Sequence, residues 1–123
     1  MDFTFGIITN GSSDDFVEIV INSILSQNIP NFEIIVVGNS NVKAENTRVI
    51  PFDETQRPMW ITKKKNIITN EAKFDNIVYL HDYVFLSKNW YDGFLKFGND
   101  FDVCMTKILN RDGSRYRDWT LWA

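Results

Sequence analysis

The sequence contains few of the residues that build cross-linked or metal-clustered scaffolds: its 123 residues include one cysteine, Cys104, and one histidine, His81. A single cysteine excludes an internal disulfide and a cysteine-cluster zinc site. No apolar run approaches the roughly 20 residues of a membrane-spanning helix, and the N-terminus lacks a basic region followed by an apolar stretch. We therefore expect a cytoplasmic protein with no transmembrane segment.

Positive charge is also scarce, since 13 basic residues stand against 16 acidic ones and the net charge is −3. This balance argues against a surface that coats nucleic acids, so we expect no nucleic-acid partner, although a basic cluster remains at Lys63–Lys65. Hydrophobic residues make up 44% of the chain and charged residues 24%, which is typical of a globular domain. The length predicts a single domain over residues 1–123.

The segment from Phe3 to Asn41 has the pattern of a strand, a helix and a second strand. Its first apolar run is too short for a helix, and the polar cluster Thr9–Ser13 ends it. Pro30 predicts a helix end near residue 28, and the β-branched run Phe32–Val37 is typical of a central parallel strand. Between the strands, six apolar residues recur on one side of the predicted helix and are expected to face a sheet: Phe16, Val17, Val20, Ile21, Ile24 and Leu25.

The middle of the chain repeats this alternation. Residues Arg48–Phe52 predict a short edge strand, because the proline within it removes one ladder donor. A weaker helical stripe runs over residues 61–74. Residues Asn76–Leu80 then repeat the pattern of a buried strand, with His81 and Asp82 at its end.

The last third predicts one more helix and one more strand. The helix begins at Ser87 or Asn89, and Gly98 is placed to end it. Residues 101–109 predict a strand, and the Asp-Gly pair within Arg111–Ser114 is typical of a tight hairpin turn.

Together these elements predict an α/β fold, an open and mostly parallel sheet with helices on both faces. Polar loops follow the strands at residues 9–13, 38–41 and 81–83. Because ligands of such sheets bind outside the carboxyl ends of the strands, we expect a ligand across these three loops. A flavodoxin-like or response-regulator-like domain shares the opening pattern and stays open as an alternative, since residues 9–13 suit a flavin phosphate.

Four segments resemble a known family, the inverting glycosyltransferases of the GT-A fold, and family 2 in particular. Ser23–Gln27 and Phe32–Val37 are similar to the family's "S-I-L-x-Q" and "E-I-I-V-V-D-D-G-S". Lys65-Asn66 is similar to its "R-N", and His81–Trp90 to its "H-D-D-V-x-L-P-P-G-W". The matches follow the family's order over most of residues 3–95.

The resemblance implies a nucleoside-diphosphate sugar as donor, with Mg²⁺ or Mn²⁺ bridging its two phosphates. A hard cation held by carboxylate oxygens stabilises the charge that the leaving diphosphate gains. By position, Asp82 is the implied metal ligand. The acceptor stays open among a glycan, a lipid and a protein. The resemblance assigns these residues to donor binding: Thr9, Asn10, Asn39, Ser40, Lys65, Asn66, His81 and Asp82.

The sequence departs from the family at three of its site positions. Tyr83 stands where the family has a second acidic residue, and Gly11 lies where many members have an aromatic residue that stacks on the base. Gly38-Asn39 replaces the aspartate pair after the second strand, where the family's aspartate accepts from the base, and Asn39 can still present its amide there. A second interpretation therefore stays open, a non-catalytic module that binds nucleotide sugars or glycans. For Asp82 the competing interpretation is a turn cap, and for Lys65 it is a solvated helix face.

The family places its general base, an Asp or Glu, well beyond the donor half. Asp118 is the late carboxylate that lies beside aromatic residues suited to the apolar faces of a sugar, so we take it as the candidate. The competing interpretation is that Tyr116, Trp119 and Trp122 complete the core or form a contact in a homo-oligomer. Since the sequence ends at Ala123, we expect either a longer protein or an acceptor side that is short or supplied by another subunit.

Overall fold

The computed structural model describes residues 1–55, 60–98, 100–104, 106 and 108–117. The helices are α1 (Asp14–Leu25), α2 (Ile61–Glu71) and α3 (Trp90–Phe97), and the strands are β1 (Phe3–Ile8), β2 (Phe32–Val37), β3 (Thr47–Ile50), β4 (Asn76–His81), β5 (Ile108–Leu109) and β6 (Arg115–Arg117). No helix among these residues is long and apolar enough to cross a membrane.

Four of the described strands form one parallel sheet in the order β3-β2-β1-β4. Their last residues share one row, because Ile8 pairs with both Val37 and His81, and Val37 pairs with Ile50. The loops after all four strands therefore leave from the same edge, which we call the carboxyl edge. The predicted parallel α/β sheet is confirmed, and so is the convergence of its polar loops.

Helices cover both faces of the sheet. The apolar residues of the strands point alternately to the two faces and form one apolar cluster with the helix on each face. Phe5 and Ile7 pack with the buried side of α1, whereas Ile8 and Ile35 pack with Ile68 of α2. The side of α1 that faces the sheet consists of Val17, Val20, Ile21 and Ile24. The predicted arrangement, with helices on both faces, is confirmed.

Two details of the prediction for α1 are wrong: the residue at which the helix ends, and one of the residues expected to face the sheet. The helix ends at Leu25 rather than near residue 28, where Asn28 adopts a left-handed conformation with φ +56°. Phe16, expected to face the sheet, is 54% exposed. Val17 and the residues three, four and seven positions after it fill the contact with the sheet, and Phe16 is rotated about 100° away from Val17 around the helix.

The later elements agree with the sequence only in part. The hairpin is confirmed, with Gly113 at φ +89° between β5 and β6, and Gly98 follows the end of α3 as predicted. The strand expected over residues 101–109 is confirmed only at its end, in β5, because residues 101–104 and 106 are irregular. The expectation of a buried β4 is also wrong, since β4 is an edge of the four-stranded sheet and only Leu80 among its residues is buried.

Candidate functional site

Thr9, the first residue after β1, joins the carboxyl edge to three other parts of the structure. Its hydroxyl donates a 2.9 Å hydrogen bond to Oδ2 of Asp82 and accepts one of 3.1 Å from the amide of Gly11. Its backbone N–H donates to the carbonyl of Val37, and its own carbonyl accepts from Nζ of Lys64 at 3.0 Å. Thr9 is buried. The predicted proximity of Asp82 to the loop after β1 is thus confirmed, with the carboxylate held in place by a neighbouring strand end.

The two glycines that replace family side chains lie where backbones touch. A Cβ atom on Gly38, whose φ is +144°, would lie 2.1 Å from the carbonyl oxygen of Thr9. A Cβ on Gly11, at φ +86°, would lie 2.2 Å from the carbonyl oxygen of Asn39. Glycine tolerates such conformations and such close approach. The loops after β1 and β2 therefore pack directly on each other, which accounts for two of the departures from the family pattern.

Asn39 and Ser40, both predicted to bind the donor, connect the loop after β2 to its neighbours. The amide of Asn39 forms two hydrogen bonds with the backbone of Phe52, donating to its carbonyl at 2.9 Å and accepting from its N–H at 3.2 Å. The hydroxyl of Ser40 donates to Asp14 at the start of α1, at 2.6 Å. Asn39 remains exposed, and an amide has further donor and acceptor capacity, so its contact with a base stays a prediction.

Asn10 shapes the loop between β1 and α1. Its Oδ1 accepts hydrogen bonds from the backbone N–H of Ser12 at 3.0 Å and from the hydroxyl of Ser12 at 2.6 Å. This is the local turn that asparagine side chains commonly form. The residue itself is exposed at the carboxyl edge, where its contact with a donor stays a prediction.

Lys64 is a residue of this region that sequence reasoning missed. It is 1% exposed, although lysine is among the residue types least often buried. Its ammonium group donates to the carbonyl of Thr9, forms an ion pair with Glu54, and lies 5.0 Å from the centre of the Phe52 ring. The signal was present in the spacing, because Ile61, Lys64 and Ile68 recur at intervals of three and four. The lysine therefore occupies a position on the inner side of α2.

Lys65 and Asn66 lie on the exposed side of α2, and the side chain of Asn66 forms no hydrogen bond with another residue of the described part. The ammonium of Lys65 lies 5.9 Å from the centre of the Tyr79 ring on β4. Burial and the positive charge of Lys65 hold the pKa of His81 below its usual value, while Asp82 acts in the opposite direction. The charges of Lys65 and Asp82 therefore both act on the imidazole at the end of β4.

The residues at the end of β4 fit a cation only in part. The described part of the chain contains no group of three or more His, Cys, Asp or Glu side chains arranged to hold a metal. Tyr83, at the position of the family's second acidic residue, stacks on His81 with ring centres 5.3 Å apart. Mg²⁺ is commonly bound through one or two carboxylates together with substrate phosphates. Asp82 alone therefore suits a cation that arrives with, or is completed by, a diphosphate.

A cavity of about 220 Å³ opens beside Asp82 on the side of α1. A second hollow, of about 320 Å³, lies around the start of β2 and holds none of the predicted site residues. Asp118, the candidate general base, lies outside the described residues. The cavity beside Asp82 is lined by Phe16, Ile19, Val20, Asp82, Tyr83, Phe85 and Arg111.

Comparison with known proteins identifies a fold but no family. No protein-family model matches the chain, and no curated protein matches it. A solved structure does match: the crystal structure of residues 1–349 of S. aureus TarS, a wall teichoic acid glycosyltransferase, superposes with a TM-score of 0.61 at 18% sequence identity. The match covers 76% of this chain and 31% of that chain, so this chain spans about a third of that structure. At this identity the likeness establishes the fold alone, and this chain shares the α/β fold of that structure.

Proposed function

We propose that this chain binds a nucleoside-diphosphate sugar at its carboxyl edge and transfers the sugar to an acceptor hydroxyl, with Mg²⁺ or Mn²⁺ on the diphosphate. The observation that carries the proposal is the hydrogen bond from Thr9 to Asp82, which holds a carboxylate at the edge where four parallel strands end. Ligands of open α/β sheets bind at that edge. The fold likeness to a glycosyltransferase supports the same reaction class.

The residues of the carboxyl edge have separate roles in this proposal. Thr9 fixes one oxygen of Asp82, which leaves further lone pairs of the carboxylate for a cation. Such a cation would neutralise the negative charge of the departing diphosphate. Lys65 supplies a positive charge near the end of β4, and a neutral His81 offers a hydrogen bond to a phosphate oxygen. An inverting transfer has the acceptor hydroxyl attack from the side opposite the diphosphate.

Replacing Asp82 by asparagine is expected to weaken cation-dependent nucleotide binding without unfolding the protein. Asparagine keeps the shape and can still accept the hydrogen bond from Thr9, but it lacks the charge that a divalent cation needs. We expect UDP, GDP, CDP or ADP with Mn²⁺ to raise the melting temperature of the wild type. In the D82N variant the affinity for that nucleotide with Mn²⁺ should fall by at least about tenfold.

Asp75 provides the matched control, because it precedes the same strand that Asp82 follows and is exposed. The D75N variant should retain the full nucleotide-dependent shift. A saturating ligand at about 100 times its Kd adds ~2.7 kcal/mol of stability, which a thermal melt resolves easily. If the wild type gives no shift with any of these nucleotides, with or without Mn²⁺, the proposal is wrong.

The second candidate function is a binding module that does not catalyse transfer. Tyr83 supports it, because this residue offers a phenol where the family has a metal-binding carboxylate, and its ring is stacked on His81 instead. If the natural site is a weakened one, the Y83D variant should bind nucleotide and Mn²⁺ about tenfold or more tightly than the wild type. Unchanged or weaker binding in Y83D favours a working site in which tyrosine is the native residue. Isothermal titration with the same nucleotides measures the difference.

A further inference from the structure

The cavity beside Asp82 is bordered by large apolar side chains that are exposed to water. Phe16 and Ile19 of α1 are more than half exposed, and so are Tyr83 and Phe85 after β4. A single exposed apolar residue is ordinary, but four large ones around one cavity mark a binding surface. Phe16 is also the one residue of the predicted apolar stripe of α1 that is mostly exposed.

Two residues of opposite charge, Asp82 and Arg111, line the same cavity. A wholly apolar occupant would strip water from both groups and return no hydrogen bond, which is unfavourable. A sugar ring matches the mixture, because its C–H faces suit aromatic side chains. Its hydroxyl groups can donate to the carboxylate and accept from the guanidinium.

The size of the cavity limits the occupant to a small group. Its volume of about 220 Å³ lies below the range of about 300–1,000 Å³ that is usual for clefts that bury drug-sized ligands. One pyranose ring is therefore a better fit than an oligosaccharide, although the open side of the cavity allows a longer chain to continue outward.

We propose that this cavity binds one sugar ring, the terminal residue of a carbohydrate acceptor. Phe85 and Tyr83 contact the C–H faces of the ring, and Asp82 and Arg111 bind its hydroxyl groups. Asp82 stands at the boundary between the cavity and the carboxyl edge, so the ring lies next to the proposed donor. The role of the ring as acceptor rests on the proposed function, whereas its binding does not depend on a nucleotide.

Binding can be measured by saturation-transfer NMR with the methyl glycosides of glucose, galactose, mannose and N-acetylglucosamine, without nucleotide. We expect transfer to the ring protons of at least one glycoside in the wild type. The F85A variant should bind that glycoside about tenfold more weakly, since the lost apolar contact corresponds to burial of part of a large side chain. R111A should weaken binding as well, whereas Phe97, 65% exposed against 62% for Phe85 and outside the cavity lining, provides the matched control in F97A.

The outcomes separate this inference from the proposed function. No transfer to any of the four glycosides, or equal transfer in F85A and the wild type, overturns the inference. A dimer of the wild type in light scattering that F85A dissociates, without glycoside binding, also overturns it and assigns the cavity to an interface between copies. Nucleotide binding that persists in F85A leaves the proposed function standing in each case. If the protein binds a glycoside but no nucleotide raises its melting temperature, the proposed sugar site is supported and the proposed donor site is wrong.

Discussion

Replacing Gly38 by alanine is expected to destabilise the protein by about 3 kcal/mol or more, because strained backbone and overpacking each cost roughly 1–3 kcal/mol. The new Cβ would lie 2.1 Å from the carbonyl oxygen of Thr9, and the backbone φ of +144° is one that other residues rarely adopt. The clash is with backbone, which has no rotamer to relieve it. Thr9 in turn cannot withdraw without loosening Asp82 and Lys64, to which it is hydrogen-bonded.

The same substitution at Gly93 should have the opposite effect. Gly93 lies inside α3, where a Cβ would meet no atom within 4 Å, and alanine is favoured over glycine in a helix by roughly 1 kcal/mol. Urea unfolding of G38A, G93A and the wild type tests both predictions by the direction of the midpoint change. A G38A variant as stable as the wild type would show that the loops after β1 and β2 are not packed on each other as described.

The G38D variant, which introduces an aspartate as in the family at this position, tests whether Gly38 affects nucleotide binding. If Gly38 were only a lost base-binding group, the aspartate would improve nucleotide binding. Because the position has no room for a Cβ, we expect the G38D variant to lose stability and bind nucleotide no better than the wild type. Glycine stands at position 38 because the local backbone leaves no room for a side chain.

The parallel sheet and the convergence of its polar loops could be predicted because they depend on patterns local in the chain. Uninterrupted apolar runs such as Phe32–Val37 indicate parallel strands, and polar residues directly after them mark the edge where the strands end. That rule places Thr9 and Asp82, 73 positions apart, at the same edge, and the pairing of β1 with β4 brings them within hydrogen-bonding distance. Identifying the carboxyl edge therefore needed no information beyond element order.

The parts that could not be predicted depend on contacts between distant segments. The amide of Asn39 looks like a ligand-binding group in sequence, yet its partner is the backbone of Phe52. The exposure of Phe16 depends on how α1 is rotated against the sheet, which a six-residue apolar stripe does not determine. The burial of Lys64 was hidden because it sits in a run of three lysines, where composition suggests a solvated surface.

Replacing Lys64 by methionine is expected to destabilise the protein strongly, because it removes one partner of a mostly buried ion pair. Methionine fills similar volume, but the Thr9 carbonyl and the Glu54 carboxylate then lose the ammonium group. Breaking a buried pair in this way costs roughly 3–5 kcal/mol. We expect a loss at the lower end of that range, because the Glu54 side chain keeps 22% exposure and can be hydrated. The affinity for nucleotide should fall too, because Lys64 is hydrogen-bonded to Thr9, and Thr9 holds the carboxylate of Asp82.

Lys63 supplies the comparison, because it is the preceding residue on α2, is exposed, and lies 4.7 Å from the Trp60 ring. The K63M variant should lose no more than the roughly 0.5–1 kcal/mol of an exposed cation–π contact. In the double variant K64M/E54Q both charges of the ion pair are removed, so its loss of stability should be smaller than the sum of the losses in K64M and E54Q. Equal urea midpoints for K64M and K63M would contradict the buried ion pair and with it the proposed support of Thr9 by α2.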